Sequence, residues 1–530
     1  MIVLSAAESR ELDRISTEKY GIPSYSLMTR AGEAVANELV ERFPESTTDV
    51  LVVAGKGNNG GDGLVAARQL MRDGFGVRTV LLGRVSDLKG DAARAHADFR
   101  SVGGEVIEVT DASQLEAALG KRPSAVIDAI FGTGLNAEVK GVPRSAIEII
   151  ESFGVPIVAV DIASGVNADT GAIMGAAARA ALTVTFGFAK FGHLSYPGAE
   201  RCGQLRIVDI GFAPRAIEEI APRGRFLERD DLRHLIHSRP ENAHKGMYGH
   251  PLVIAGSRGK SGASLLASRA ALRTGAGLVT AAIPETIASI VAAGQAELMT
   301  EPVADRDGHF DGAHAPDSLK MILAGKSALI AGPGIGLSDD TKRLIEWLIT
   351  TACEPARPLL LDADGLNALA ELGCETAKRS HGAVVLTPHP GEAARLLGVT
   401  TSVINGDRIS AARQLAERTG ATVLIKGARS VIASPDGVIY INSTGNPGMA
   451  TPGMGDALSG IVGTMLSQKM APLDALALGV FAHGHAADRV AARLGRVGYI
   501  AGDLIDELPA ALESLSESIV PLPTWEGVRG

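Results

Sequence analysis

Short apolar runs that end in glycine-rich turns, each followed by a helical stretch, recur along nearly the whole chain and restrict it to one fold class. In the first half they are VLVVAG (50–55), SAVIDAIFG around Asp128, PIVAVDIASG around Asp161 and LTVTFGF (182–188). Strands that are apolar throughout, rather than alternating, are buried on both faces, as in a parallel sheet covered by two layers of helices. Helices are predicted at about 5–20, 26–42 and 62–73. The stretch 212–240, charged and proline-containing with no strand-like run, is the predicted domain junction. Beyond it the pattern restarts with PLVIAGS, LVTAAIP, SALIAGPGIG, PLLLDADGLN, AVVLTPHPGE, TVLIKGARSVI and GVIYINS. The whole chain therefore reads as α/β, with domains over 1–215 and 225–515. No internal repeat links the halves, so two different α/β folds are expected.

Composition narrows the function. Of 530 residues, 63 are glycine, without the fixed period of a fibrous chain, and aromatics make up 4%. A net charge of -9 argues against a general nucleic-acid or anionic-membrane binder, so a phosphate-bearing ligand must be held by local devices. The three cysteines, Cys202, Cys353 and Cys374, are scattered and lack CxxC spacing, which suits a reducing, cytoplasmic setting. The N-terminus MIVLSAAESRELDR meets acidic residues too early for a signal peptide, and no apolar run approaches membrane-spanning length. Small-molecule substrates and a homo-oligomeric state are expected, as for most enzymes of this kind.

Residues 54–63, AGKGNNGGDG, satisfy G-x-G-x-x-G through Gly55, Gly57 and Gly60, between a strand and a helix. A nicotinamide dehydrogenase would place an acid at the end of the next strand; VRTVLLGR ends in Arg84. Two further polar clusters close later strands, at Asp128 and at Asp161 with Ser164. Strand carboxyl ends are where open sheets bind ligands, so Asn59, Asp128 and Ser164 could converge as an all-oxygen cation site. Taken singly, each is equally an ordinary turn or cap residue.

In the second half, NPGMATPGMGD (446–456) precedes an apolar helical stretch, ALSGIVGTML. Free amides at a helix start bind anions, glycines at 453 and 455 admit close approach, and Asp456 could accept a proton from an attacking hydroxyl. Asp362 and Asp364 in DADGLN read as structural with an indirect metal link, and for Glu392 in TPHPGE a capping-box role competes with a functional one. Lys260 and Ser261 do not complete a P-loop, because the glycine spacing is wrong.

The motifs NNGGDG, DAIFGTGL, VDIASGV and TFGFAKFGHLSYPG, over about 1–215, resemble the epimerase domain of the NAD(P)H-hydrate repair enzymes, a Rossmann-like fold. GSRGKSGA, GPGIG, DADGLN, TPHPGE, KGARSVI and the GxGD turn, over about 225–515, resemble the ADP/ATP-dependent dehydratase domain of the same family, which is ribokinase-like. The first resemblance implies that Asn58, Asn59, Gly60, Gly61 and Asp62 hold the hydrate together with Gly132, Thr133, Gly134, Leu135, Asn136, Ala137 and Glu138. It also implies K+ on Asn59, Asp128 and Ser164, with Asp161 as acid/base; Lys190 reads equally as a functional or an exposed lysine. The second implies a hydrate site at Ala263, Gly334, Gly336 and His389. Adenine nucleotide, as ADP or ATP with Mg2+, would meet Lys426, Gly427, Ala428, Arg429 and Ser430. Its other contacts would be Asn446, Pro447, Gly448, Met449, Ala450, Thr451, Pro452, Gly453, Met454 and Gly455, leaving Asp456 at the reacting hydroxyl. Pro452 and Met454 depart from the smaller or hydroxyl residues usual there. The implied function is repair of hydrated NADH and NADPH. The alternatives are a ribokinase-type small-molecule kinase with a cofactor-binding partner domain, and a silent nucleotide-binding scaffold.

Overall fold

The apolar runs are strands, and in both halves they assemble in the same order. A computed structural model describes residues 1–237 and 239–516. It divides into one unit of Ile2–Gly224 and a second of Met1 with the residues from Arg225 onward.

In the first unit seven parallel strands lie in the order Val106–Val109, Val77–Leu82, Val50–Ala54, Ala125–Ala129, Ile157–Val160, Leu182–Phe186, Gln204–Val208. Counted along the chain this is 3-2-1-4-5-6-7, the Rossmann-like winding the sequence predicts. The winding reverses between Val50–Ala54 and Ala125–Ala129, so the loops leaving those strands part and open a crevice at their carboxyl ends. The strands at the two edges, Val106–Val109 and Gln204–Val208, escape the apolar pattern because edges are partly solvated; Ile107 is 47% exposed.

The predicted helix at 62–73 instead spans Asn58–Arg72, so NNGGDG is helix rather than loop. Its glycines explain the early start. A Cβ on Gly60 would lie 1.9 Å from the Gly55 carbonyl oxygen, and one on Gly55 would lie 2.1 Å from that of Ile130. Only bare backbone lets the helix begin this close to two strand ends. The stretch 212–240 is also more ordered than predicted, with a helix Pro214–Ile220, a strand Gly224–Phe226 and a helix Arg229–Leu232. These elements are too short to show a period.

The main sheet of the second unit runs Met299–Val303, Thr280–Pro284, Pro251–Ile254, Ala328–Ala331, Leu359–Leu361, Val384–Leu386, Thr422–Ile425, Val431–Ala433, Ile439–Ile441. Its first seven strands are parallel and again follow 3-2-1-4-5-6-7; the last two add antiparallel. The halves thus share their winding without a legible repeat, and differ in the antiparallel extension.

Helices Ser261–Thr274 and Met454–Ser467 pack side by side on this sheet. A Cβ on Gly460 would come 2.1 Å from the Ala267 carbonyl oxygen, so the backbones touch. Ala267, Ala270, Ala271, Ala457, Ile461 and Val462 close the contact within one buried cluster. Burying a side chain the size of Ile461 or Val462 stabilises by roughly 1.5–3 kcal/mol. All three cysteines are buried and unpaired. Among the described residues no helix is long and apolar enough to cross a membrane.

Candidate active sites

The first site occupies the crevice of the first unit, a cavity of about 680 Å3. Asn58, Asn59 and Asp62 reach it from the first two turns of the helix Asn58–Arg72. Gly132, Thr133, Gly134, Leu135, Asn136 and Ala137 line it from the loop after Ala125–Ala129, and Asp161 and Lys190 from beyond the following strands. Gly60 and Gly61 contribute close packing, Gly61 against Met28 and Ala92. Glu138 points to Lys140, 2.9 Å away.

Asp161 and Lys190 form the charged centre. Lys190, 2% exposed, donates from Nζ to Asp161 Oδ1 at 2.7 Å and to Thr185 Oγ1 at 2.8 Å, while Thr185 Oγ1 donates to the same Asp161 oxygen at 2.9 Å. The lysine is therefore a buried partner and not an exposed side chain. Burial alone would raise the Asp161 carboxyl, but the Lys190 charge and hydrogen bond outweigh it and hold it below the ordinary carboxylate range. Asp161 has φ +62°, and the Ile162 amide donates across it to the Val160 carbonyl at 2.7 Å. That is a γ-turn of the rare positive-φ kind, a conformation costing on the order of 1–3 kcal/mol.

Three other carboxyls, Asp13, Asp62 and Asp91, open on the same cavity. Asp13, on the helix Ala6–Glu18, is pushed up to about 6 by burial and by the Asp161 charge. Asp62 is held well above its ordinary value by burial and by the charges of Asp161, Asp13 and Asp91. Beside them, fully buried Asp128 accepts from the Ser164 amide at 2.8 Å and the Ile130 amide at 3.4 Å. Ser164 Oγ accepts from the Phe131 amide at 2.9 Å, and Asn59 packs on Gly132, its Nδ2 buried without a partner. The three oxygen-bearing residues are thus linked through the 128–132 strand end. Burial raises Asp128, opposed by hydrogen bonds.

The second site lies at the equivalent strand ends of the second unit. Asp362, directly after Leu359–Leu361, is 1% exposed and bound on both oxygens: Lys426 Nζ to Oδ1 and Ser459 Oγ to Oδ2, each at 2.7 Å. Helix Met454–Ser467 starts after Gly453, whose φ of +87° turns the chain into it, and its first intrahelical bond is Ala457 to Gly453. The amides of Met454, Gly455 and Asp456 precede that bond, forming an anion-binding turn. A Cβ on Gly455 would lie 3.4 Å from Lys426 Nζ and 3.5 Å from Asp362 Oδ2.

Asp456 stands third in the helix rather than at its cap. Burial and the Asp362 charge push its carboxyl up to about 7, against the pull of Lys426. Glu392 is also raised to about 7, by burial, with Lys426 opposing and Asp362 adding to the rise. It closes the predicted capping box with His389: the His389 amide donates to Glu392 Oε2 at 2.8 Å. Asp364 accepts from the Gly336 amide at 2.9 Å and from Lys260 at 3.2 Å.

Two family models divide the chain at these sites. "YjeF-related protein N-terminus" matches residues 24–192 and "NAD(P)H-hydrate dehydratase" matches 251–510. Over its full length the chain is similar to the bifunctional NAD(P)H-hydrate repair enzyme of Moorella thermoacetica, 40% identical across 98% of each chain. The chain belongs to the bifunctional NAD(P)H-hydrate repair family. The Coxiella burnetii relative of that name is 39% identical across 94% of this chain and 97% of its own. The Escherichia coli relative is 37% identical across 95% and 92%. A solved ADP/ATP-dependent NAD(P)H-hydrate dehydratase from Bacillus subtilis, co-crystallised with ATP and Mg2+, is 29% identical, covering 55% of this chain and 98% of that one, with a TM-score of 0.47.

In this member of the repair family the predicted second-site residues gather in two groups. Ala263 and Gly334 touch, since a Cβ on Gly334 would lie 2.9 Å from that of Ala263, and Gly336 adjoins them through Asp364. His389 lies apart from that pair, with Glu392 and Lys426. In the glycine turn Asn446 is fixed by Asp488 and by the Tyr499 hydroxyl, each at 2.9 Å. Within 426–430, Arg429 stacks on Phe226 and Ser430 Oγ donates to the Gly427 carbonyl at 3.0 Å. Sequence reasoning missed Asp13, His193 and Ser459 because the groups they face lie far from them along the chain. The TFGFAKFGH motif did contain His193, and only the fold gives it a partner.

Proposed function

We propose that this protein restores hydrated NADH and NADPH in two steps, one at each site. At the first, the R and S epimers of the hydrate interconvert at the hydroxyl-bearing carbon. At the second, the S hydrate takes a phosphoryl group from ADP or ATP on that hydroxyl; phosphate and a proton of the adjacent ring carbon then leave, and the dihydronicotinamide re-forms. The observation that carries this reading is the pairing, on one chain, of two acid/base centres of opposite design: Asp161 held charged by Lys190, and Asp456 raised to about 7 beside an anion-binding turn.

At the first site Asp161 is the base and Lys190 its positioned counter-charge. Asp13, raised to about 6, is suited to protonate the hydroxyl as it leaves as water, and Asp161 to take a proton from the water that adds back to the other face of the same carbon. NNGGDG supplies Asn58, Asn59 and Asp62 to the hydrate, with the 132–138 loop opposite. Asn59, Asp128 and Ser164 fit K+: each offers a side-chain oxygen, and only hydrogen bonds offset the buried Asp128 charge. Bound there, K+ would neutralise Asp128 and stiffen the 128–132 strand end.

At the second site Asp456 takes the hydroxyl proton while the amides of the 453–456 turn hold the transferring group. Lys426, Arg429 and Ser430 with Asn446 and the glycine turn receive the nucleotide; Ala263, Gly334, Gly336 and His389 receive the hydrate. Mg2+ carried by nucleotide phosphates needs few protein ligands, and Asp362 and Asp364 face the turn while already holding Lys426 and Lys260. Phosphate release distinguishes this from a small-molecule kinase, which keeps its phosphorylated product. A cytoplasmic setting is supported by three buried free thiols.

The test supplies purified protein with a mixture of hydrate epimers, with and without ADP. Full recovery of reduced-cofactor absorbance only with nucleotide is expected. Recovery stopping at the S fraction would remove the epimerase assignment.

A further inference from the structure

One buried ring joins the two residues of the first site and has no part in the reading above. His193, 4% exposed, lies in the short helix Phe191–Leu194. Its Nδ1 accepts the Lys190 backbone amide at 2.9 Å, and its Nε2 lies 2.8 Å from the Asp161 backbone carbonyl oxygen. An amide can only donate and a carbonyl can only accept. The ring must therefore be bare at Nδ1 and carry its single proton on Nε2. A doubly protonated ring would set Nδ1–H against the Lys190 N–H and lose one of the two bonds. Burial, reinforced by the Lys190 charge, keeps the ring neutral by pushing it down to about 4.

Capping explains only half of this arrangement. As third residue of its helix, His193 serves the Lys190 amide as a capping-box acid would. The bond to Asp161 reaches 32 residues back, to the residue that centres the positive-φ turn. That conformation needs a restraint from outside the turn. The remaining restraints act on the Asp161 side chain, through Lys190 and Thr185, and on its amide, which donates to Val184 at 2.8 Å. His193 alone among these holds its carbonyl.

We propose that His193 is a positioning residue of the epimerase centre: as a neutral ring with its proton on Nε2 it locks the Asp161 turn to the Lys190 backbone, so that carboxylate and ammonium meet in register. The inference rests on the reading of Asp161 and Lys190 as the acid/base pair. Without the lock, Asp161 relaxes toward ordinary φ and its carboxylate leaves Lys190. Lys190 then ceases to lower it, while burial pushes it up, with Asp13 and Asp62 facing it across the cavity. Cys202, itself raised by burial, adds no charge near neutrality.

The test compares His193→Leu, which loses both bonds, with His193→Gln, whose amide oxygen and nitrogen can accept and donate as the two ring nitrogens do. Epimerisation is followed across pH in the full chain, with nucleotide-dependent dehydration of pure S hydrate as internal control. His193→Leu is expected to lose about 10- to 100-fold in kcat with little change in KM, to shift the acid limb of the epimerisation profile to higher pH, and to leave dehydration unchanged. His193→Gln should recover most of the rate and return the limb. A cap that merely stabilised the helix would lower Tm and leave the limb in place, which overturns the proposal, as does a Gln variant no better than Leu. Should His193→Leu fail to fold, 15N spectra of the wild-type histidines decide. A neutral Nε2–H ring from pH 5 to 8 supports the proposal; an Nδ1–H tautomer or a titration in that range overturns it. Inactivity of Asp161→Asn and Lys190→Met alongside an unaffected His193→Leu would sink this inference alone. Full epimerisation by Asp161→Asn would sink the underlying reading instead.

Discussion

In the first half of the chain Lys190 bonds the carboxylate that is assigned the chemistry; in the second, Lys426 bonds Asp362 and leaves Asp456 without an ion pair of its own among the described residues. Both lysines are shielded, and the carboxylates they bond, Asp161 and Asp362, each follow a strand of a 3-2-1-4-5-6-7 sheet. The proton affinities they produce diverge. Asp161 is held low, so it is charged throughout the neutral range, whereas Asp456 rises to about 7 through its burial and the Asp362 charge. The same winding and the same residue types thus yield one centre whose charge is constant and one whose charge is poised near neutrality. Which carboxylate the lysine touches decides the outcome, not the presence of the pair.

This contrast can be broken at several points. The largest effect is expected from Asp456→Asn, which should lower dehydration by about 10²–10⁴-fold and spare epimerisation, measured by phosphate release against epimer ratio. Equal loss of both activities would show that the centres are not separable. Lys190→Met leaves Asp161 buried without its cation, a change worth about 3–5 kcal/mol of stability for a broken buried pair, read by chemical denaturation of the first unit's transition. The pH profiles should then part. Asp456 acts as a base with a raised affinity, so dehydration kcat/KM should fall as pH drops through about 7, with Glu392, also near 7, coupling into the same apparent limb. Epimerisation should keep its Asp161 base ionised through that range. The smallest effect is expected from Asp13→Asn: a loss of roughly 10-fold in epimerisation, below a full general-acid contribution, and removal of any limb near pH 6.

Much of this was legible in the residues. Interior parallel strands announce themselves because both faces are buried and every residue is apolar, as in Val50–Ala54. Glycine-dense turns mark close approaches of backbone, as at Gly55 and Gly60. What stayed hidden has physical causes. NNGGDG was read as a loop because glycine and asparagine disfavour helix by propensity, a preference that close packing against Gly55 overrides. The edge strands carry polar residues suited to water. The shared winding of the halves leaves no sequence repeat, because buried Val, Leu, Ile and Ala interchange freely within a core of similar volume. Asp13 and His193 were unreadable because their meaning lies in partners 148 and 32 residues away from Asp161.

The backbone contact between Gly460 and Ala267 bears on how the second site keeps its dimensions. One helix of that pair begins at the turn proposed for the phosphoryl donor; the other contains Ala263, proposed for the acceptor, in its first turn. Because the two axes touch without intervening side chains, the gap between donor and acceptor is gauged by a joint about one and a half turns inside the protein, like the jaws of a caliper set at its pivot. Loops can fray at the surface without altering that setting. A single methyl at residue 460 would spread the jaws and impair transfer from a point that no substrate reaches.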